Sequence, residues 1–137
     1  MDLRSERKKF EETKKIYESV KLKFNGIDGY DVYNCSIPFT YKGERYIYGR
    51  VEKPDEWARS LSKLFKETAK DEFTLVPNSM IYQLEDPYVS FIHGQLVLGG
   101  THVRYNAGKL DGYCGYFYKG TDLEDLYYFT SGPYSMK

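Results

Sequence analysis

The sequence carries no excess charge of either sign: twenty Lys and Arg residues balance twenty Asp and Glu. It therefore has no global positive field to draw in a phosphate backbone, which argues against nucleic acid as a partner, and no acidic bias of the solvating kind. The early basic residues Arg4, Arg7, Lys8, Lys9, Lys14 and Lys15 are interleaved with Asp2, Glu6, Glu11 and Glu12, the pattern of a solvated helix face. No apolar run approaches the length that crosses a bilayer, and the N-terminus lacks the apolar centre of a secretory signal. The expectation is a cytoplasmic chain with no membrane partner. Cysteine and histidine are scarce, at two each. Cys35 and Cys114 have no metal-ligand spacing and read as small buried hydrophobes. Asn34-Cys35-Ser36 matches a glycosylation sequon, which has no meaning without export. His93 and His102 lack nearby cysteine or carboxylate spacing, so neither a metal site nor a cofactor is expected. Gly99-Gly100 lacks the spacing of a phosphate loop.

What the chain does have is aromatic side chains, 18% of its residues, with fifteen Tyr and eight Phe. Such side chains suit a pleated, half-buried surface and predict a strand-rich fold. Tyrosine also suits sugar binding, because its ring stacks on the C–H face of a pyranose while its hydroxyl forms a hydrogen bond. At 137 residues the chain is long enough for one ordinary domain with a core of its own.

Helix-like intervals of Phe10, Thr13, Ile16 and Tyr17 among charges predict a short amphipathic helix over about Leu3 to Tyr17. From Ser19 the pattern alternates, with Val20, Leu22 and Phe24 on one face of a strand. Tyr30 to Phe39 and Arg45 to Glu52 read as a hairpin around Lys42-Gly43. In residues 56–66, Leu61, Leu64 and Phe65 fit a helix while Trp57, Arg59, Leu61 and Lys63 fit a less tidy strand face, and local periodicity favours the helix. Phe73 to Val76, Met80 to Leu84, Tyr88 to His93 and Gln95 to Val103 read as strands, with a tight turn at His93-Gly94. Tyr105 to Gly112 reads as a longer polar stretch, followed by strands over Tyr113 to Lys119 and Asp125 to Thr130. Antiparallel sheets that recur along a chain mark propeller blades. The segment Asp31-Val32-Tyr33-Asn34 plus hairpin returns as Leu84-Glu85-Asp86-Pro87 plus hairpin, which makes room for two blades and not for a complete ring.

A set of short motifs then occurs in order: Asp31-Val32-Tyr33-Asn34 with Pro38-Phe39, Tyr48-Gly49-Arg50-Val51-Glu52, Glu56-Trp57-Ala58-Arg59-Ser60, Leu84-Glu85-Asp86-Pro87, Leu96-Val97-Leu98-Gly99-Gly100, Phe117-Tyr118-Lys119-Gly120 and Gly132-Pro133-Tyr134-Ser135-Met136-Lys137. From about Ser19 to the last residue this set resembles the domain-of-unknown-function family numbered eighteen sixty-one. Members of that family look like the five-bladed β-propellers of mannoside phosphorylases and arabinanase-type glycosidases. The resemblance implies an all-β fold: a partial five-bladed β-propeller of about two blades with a short N-terminal helix. It divides the chain into an N-terminal helical segment, 1–18, and a partial propeller, 19–137. Blade one then covers about 19–78 and blade two about 79–131, and the Gly-Pro-x-x-Met-Lys segment stands at the start of blade three. The resemblance also makes residues 56–66 an outer strand of the first blade, and that reading is adopted over the helix.

Cleaving a glycosidic bond takes a carboxylic acid near the leaving oxygen, and opposite it a second carboxylate or an activated water or phosphate. In the resembling families the aspartate of Glu-Asp-Pro is the proposed proton donor, which implies Asp86 as the acid. Asp31 is implied as the second carboxylate, and Asn34, Arg50, Glu52 and Glu85 as sugar or phosphate ligands. Each has a plainer reading beside it. Asp86-Pro87 starts turns, Asn34 bonds local backbone, and Arg50 and Glu52, on one face of a strand, take part in a cross-strand structural ion pair; Glu56 and Arg59 are open to the same two readings. Where relatives carry an acidic residue this chain has His102, which removes acid-base work from that strand. The expected partners are an oligosaccharide or glycoside, inorganic phosphate, and a second copy or companion chain at open blade edges. The chain by itself is expected to show little catalysis. The alternatives are a non-catalytic glycan-binding propeller and a self-associating structural fragment.

Overall fold

A computed structural model describes residues 2–56 and 59–133. The expectations placed on Trp57, Ala58 and the Tyr134-to-Lys137 end lie outside these residues. The fold is all-β with one short helix. Strands β1 (Lys23–Asn25), β2 (Asp31–Tyr33), β3 (Phe39–Tyr41), β4 (Glu44–Glu52), β5 (Leu61–Ala69) and β6 (Glu72–Leu75) form a first sheet in the order β1-β6-β5-β4-β2, with β3 also on β4. Strands β7 (Glu85–Ile92), β8 (Gln95–Asn106), β9 (Lys109–Gly120) and β10 (Tyr127–Ser131) form a second sheet in chain order. All pairings are antiparallel except β1 with β6.

The hairpins follow turn chemistry. Lys42-Gly43, His93-Gly94 and Ala107-Gly108 each place two consecutive residues at positive φ, 48° and 77°, 50° and 77°, and 49° and 77°. Two such residues make the primed turn whose twist matches that of the flanking strands. The last of these corrects the polar stretch expected at Tyr105 to Gly112. β8 runs on to Asn106 and β9 starts at Lys109, because charged and small residues pair well enough along a solvated hairpin. Met80 to Leu84 forms a single bridge, Ser62 with Tyr82, instead of a strand. β5 is a strand where local periodicity favours a helix. It lies inside its sheet, between β4 and β6, and not at the outer edge, so neighbours on both sides override the helical spacing.

The core has two layers. Between the sheets, Phe39, Tyr48 and Leu64 of the first meet Val89, Leu96 and Leu98 of the second, with Tyr82, Leu84, Leu123 and Leu126 beside them. On the far face of the first sheet, Ile47, Val51, Phe65 and Phe73 pack with Ile27, Phe24 and Val32. β4 therefore alternates between two buried faces, Tyr48 to one and Ile47 and Val51 to the other.

Helix α1 (Leu3–Thr13) starts on an Asp2 cap that accepts from the Arg4 amide at 3.1 Å. None of its residues is buried, as a solvated face requires. It ends before Ile16 and Tyr17, which stay exposed, because no apolar surface receives their side of a longer helix. No helix of the described residues is long and apolar enough to cross a membrane.

β8 lies so close to the start of β7 that a Cβ on Gly100 would sit 2.9 Å from the Glu85 carbonyl oxygen and 2.9 Å from Leu84 Cβ. Gly100→Ala should cost about 1–3 kcal/mol in urea unfolding. Truncating fully buried Leu98 should cost about 2–5 kcal/mol. A Gly100→Ala chain as stable as the parent would contradict the close approach.

Candidate functional site

Arg50 and Glu52 stand two apart near the end of β4, so their side chains share a face, and that face turns toward the second sheet. Across β2, Tyr33 is paired with Arg50 and Asp31 with Glu52. On the other side Ser60 precedes β5. From the second sheet Glu85 and Asp86 open β7 at a bulge, where the register slips between Glu85 and Tyr88. Asp86 holds φ at 48°, a left-handed conformation that aspartate tolerates better than most residues, and the bulge re-aims the side chains there.

The Arg50 guanidinium joins these elements. Its Nη1 donates to Asp86 Oδ1 at 2.9 Å, Nη2 to Glu52 Oε2 at 3.0 Å and to Glu85 Oε1 at 3.2 Å, and Nε to Ser60 Oγ at 2.8 Å and to Glu52 Oε2 at 3.2 Å. Its plane lies over the Tyr33 ring, 4.8 Å from the centroid. The Ser60 hydroxyl donates to Glu52 Oε2 and lies 3.4 Å from Glu85 Oε1. Tyr33 donates to Glu52 at 2.9 Å, and Asn34 Nδ2 donates to Asp86 Oδ1 at 2.9 Å. The side chains of Arg50 and Glu52 are 10% and 6% exposed, whereas Asp86 is 55% exposed. The network is thus buried at its base and open at Asp86.

Three carboxylates share one guanidinium, and their environments separate them. Burial works against the charge on Glu52, but hydrogen bonds from Ser60, Arg50 and Tyr33 outweigh it and hold its carboxyl below the usual range. Burial pushes Glu85 up, and the nearby charges of Asp86 and Glu52 add to that effect against the pull of Arg50. Burial also opposes the charge of Arg50, yet its bonds to Asp86 and Glu52 keep it above its ordinary value.

Five of the six residues singled out in the sequence, Asn34, Arg50, Glu52, Glu85 and Asp86, belong to this one bonded network. Asp31 does not. It is exposed beside Glu52, and among the described residues its carboxylate has no hydrogen-bond or ion-pair partner. The plain pairing of Arg50 with Glu52 is present, but within β4 and extended to the second sheet. Sequence reasoning missed Tyr33 and Ser60. Tyr33 had a readable signal, two positions after Asp31 and so on its face; Ser60 reaches Glu52 only through the sheet pairing of β4 with β5. His102 lies outside the network, stacked on Tyr116 at 4.2 Å with Nδ1 3.2 Å from the Gln83 carbonyl oxygen. Cys35 and Cys114 are free thiols, and burial pushes Cys35 up to about 11, which makes it unreactive.

The profile of a family described as protein of unknown function (DUF1861) matches residues 8–137. The chain is similar to MPT-1, a GDP-Man-dependent mannosyltransferase from Leishmania mexicana, with 49% identity and a TM-score of 0.89 over 99% of this chain and 43% of that one. It is similar to MPT-4, a mannose phosphorylase from Leishmania mexicana solved in complex with phosphate ion, with 56% identity and a TM-score of 0.87 over 98% and 42%. A hypothetical protein from Leishmania major matches with 53% identity and a TM-score of 0.80 over 96% and 42%. The chain spans less than half the length of each of these proteins. No curated protein matches it. Two of the three solved relatives are thus carbohydrate-active by description.

Removing Arg50 strands three carboxylates at a largely buried site. Arg50→Met should lose about 3–5 kcal/mol of stability at neutral pH, read by thermal or urea unfolding. Glu85 gives a signed pH test. Its folded value lies above the ordinary 4.5, so its proton binding favours the fold below that value, and this contribution is lost as pH rises through the folded value. Glu85→Gln should therefore raise the melting temperature relative to the parent at pH 7, with the gain fading toward pH 4. A gain that grows on acidification would contradict the assignment.

Proposed function

The chain belongs to the DUF1861 family, and from that premise we propose that it is part of a carbohydrate-active five-bladed β-propeller whose glycan site is centred on Asp86. The first sheet is blade one, about 19–78, and the second is blade two, about 79–131. Asp86 is the general acid at the glycosidic oxygen, and Asp31, exposed on β2, is the second carboxylate. Asn34, Arg50, Glu52 and Glu85 hold the sugar or hold Asp86 in place. The site takes a mannoside, and the acceptor opposite the acid is water or inorganic phosphate.

The observation that carries this reading is the state of Asp86. Two donors, from Arg50 and Asn34, fix the same oxygen, Oδ1, which leaves Oδ2 of a half-exposed carboxylate for a ligand. An aspartate that merely started a turn would need neither a buried guanidinium nor an asparagine from another sheet. The mannose named in the descriptions of two relatives supplies the sugar class.

In the same reading the outward face of the second sheet, where Tyr88 and Phe129 are exposed and both pack on Phe117, receives further polypeptide: the rest of a propeller or another copy. The chain alone then gives little turnover.

Titration of the chain with β-1,2-mannobiose, followed by amide NMR, should shift signals of β2 and the start of β7. Asn34→Ala, which takes one donor from Asp86, should weaken binding by about tenfold. Light scattering should show association rising with concentration. A strictly monomeric chain that cleaves mannosides unaided would overturn the partial-propeller reading. Mannobiose that leaves Asn34, Asp86 and their neighbours unshifted would overturn the glycan site.

A further inference from the structure

Away from Asp86, at the other end of the space between the sheets, a cavity of about 430 Å³ opens, with Tyr41, Tyr46, Asn78, Met80, Leu123 and Glu124 in its wall. Its volume falls in the range of small-ligand pockets. Tyr46 stands four residues before Arg50 on β4, roughly 13 Å along the strand, so the cavity is separate from the Arg50 network. The two tyrosines come from the β3–β4 hairpin, Asn78 and Met80 from the link between β6 and β7, and Leu123 and Glu124 from the link between β9 and β10. Both sheets thus build the wall, and a shared acceptor ties their parts together. The Tyr41 hydroxyl and the Glu124 amide each donate to Asp122 Oδ1 at 3.0 Å. The Ser79 hydroxyl donates to the Val76 carbonyl at 2.9 Å, and Asn78 holds φ at 59°, a conformation that asparagine tolerates. These features fix the turn that presents the Asn78 side chain.

The chemistry of the wall selects among ligands. Among the described residues, the Tyr46 hydroxyl, the Asn78 amide and the Glu124 carboxylate have no hydrogen-bond or ion-pair partner, and together they can donate and accept. None of the described residues lining the cavity is lysine or arginine, and Glu124 is the one charge among them, which works against phosphate or any other anion. An organic cation meets a charge of its own sign, because the Lys42 ammonium already lies over the Tyr41 ring, 5.1 Å from its centre. A neutral molecule with an apolar face and several hydroxyls fits best. A sugar is such a molecule: its C–H face packs on a tyrosine ring while its hydroxyls meet the amide and the carboxylate. Cleavage takes a carboxylic acid and a second group opposite it. With one carboxylate in its wall, the cavity lacks that pair.

We propose that this cavity is a second glycan site, which holds neutral saccharide without cleaving it at the end of the sheets away from Asp86. A glycan retained there raises the local concentration of saccharide around the Asp86 network. The inference takes its ligand class from the carbohydrate reading above, but it shares no residue with that network, so the two fail separately.

The experiment titrates the chain with β-1,2-mannobiose and, separately, with tetramethylammonium, following backbone and side-chain amides by NMR. Mannobiose is expected to shift the Asn78 side-chain amide and the Leu123 and Glu124 backbone amides saturably, and to do so equally in Asn34→Ala. Tyr46→Leu, which removes the ring and its hydroxyl, should lose about tenfold in affinity at these signals, and Tyr46→Phe, which keeps the ring, should lose less. Asn78→Gly keeps the left-handed turn and removes the amide, and should lose about fivefold. Asn78 is exposed, so circular dichroism should show this variant folded like the parent even if Tyr46→Leu is not. Shifts at the cavity without shifts at β2 and the start of β7 would leave this site standing and overturn the one at Asp86. Mannobiose that shifts only β2 and the start of β7 does the reverse. The proposal also fails if tetramethylammonium binds the cavity more tightly than mannobiose, or if Asn78→Gly and Tyr46→Leu both bind mannobiose there as the parent does.

Discussion

The guanidinium of Arg50 lies between two sheets, with its side chain only 10% exposed. A charge taken that far from water carries a penalty of several kcal/mol unless it is matched and bonded on every side. Much of the local geometry answers that requirement. Glu52 stands two residues further along the same strand, Ser60 directly precedes β5, Tyr33 lays its ring beneath, and Glu85 and Asp86 arrive from the second sheet at a bulge. Without the guanidinium the three carboxylates repel one another; without the carboxylates the guanidinium is stranded.

Such a network is weak evidence for net stability, since apolar residues of similar volume would often do as well. Its value here is in register. The apolar layer formed by Tyr48, Leu64, Leu84 and Leu98 brings the sheets together, but apolar packing is tolerant of small shifts. The bonds from Arg50 to two consecutive residues of β7 fix one arrangement, and they do so at the end of the sheets where Asp86 meets solvent. The apolar layer and the polar network therefore divide the work between holding the sheets and setting their relative position.

Fold alone would not support a functional reading, because one fold hosts many chemistries. The site carries it instead: a half-exposed aspartate fixed at one oxygen, a neighbouring glutamate pushed toward its protonated form by burial, and an asparagine that follows β2 of the other sheet. Two similar proteins, at 49% and 56% identity, are described as a mannosyltransferase and a mannose phosphorylase, and the proposed glycan site takes its sugar class from those descriptions.

Much of this could be read from residue order. The tyrosine and phenylalanine content, the run Arg45 to Glu52 and the turn pairs at Lys42-Gly43 and His93-Gly94 specify strands and hairpins, because strand propensity and backbone handedness are local properties. The motif set around Asp31, Arg50 and Asp86 led to the family and to five of the seven members of the bonded network. Other features could not be read that way. Residues 61–66 are helical in spacing and strand in fact, since β4 and β6 supply the hydrogen bonds that decide it. Ser60 and Tyr33 join the site, and Asp31 stays out of it, through pairings between distant segments. The burial that raises Glu85 and the bonds that lower Glu52 exist only once two sheets have closed over them. Neighbours along the chain set the hairpin turns and most of the strands, and the ordered motifs set the candidate residues; the remaining strands, which of those residues touch, and what charge they hold are set by contacts across the chain that only the folded sheets create.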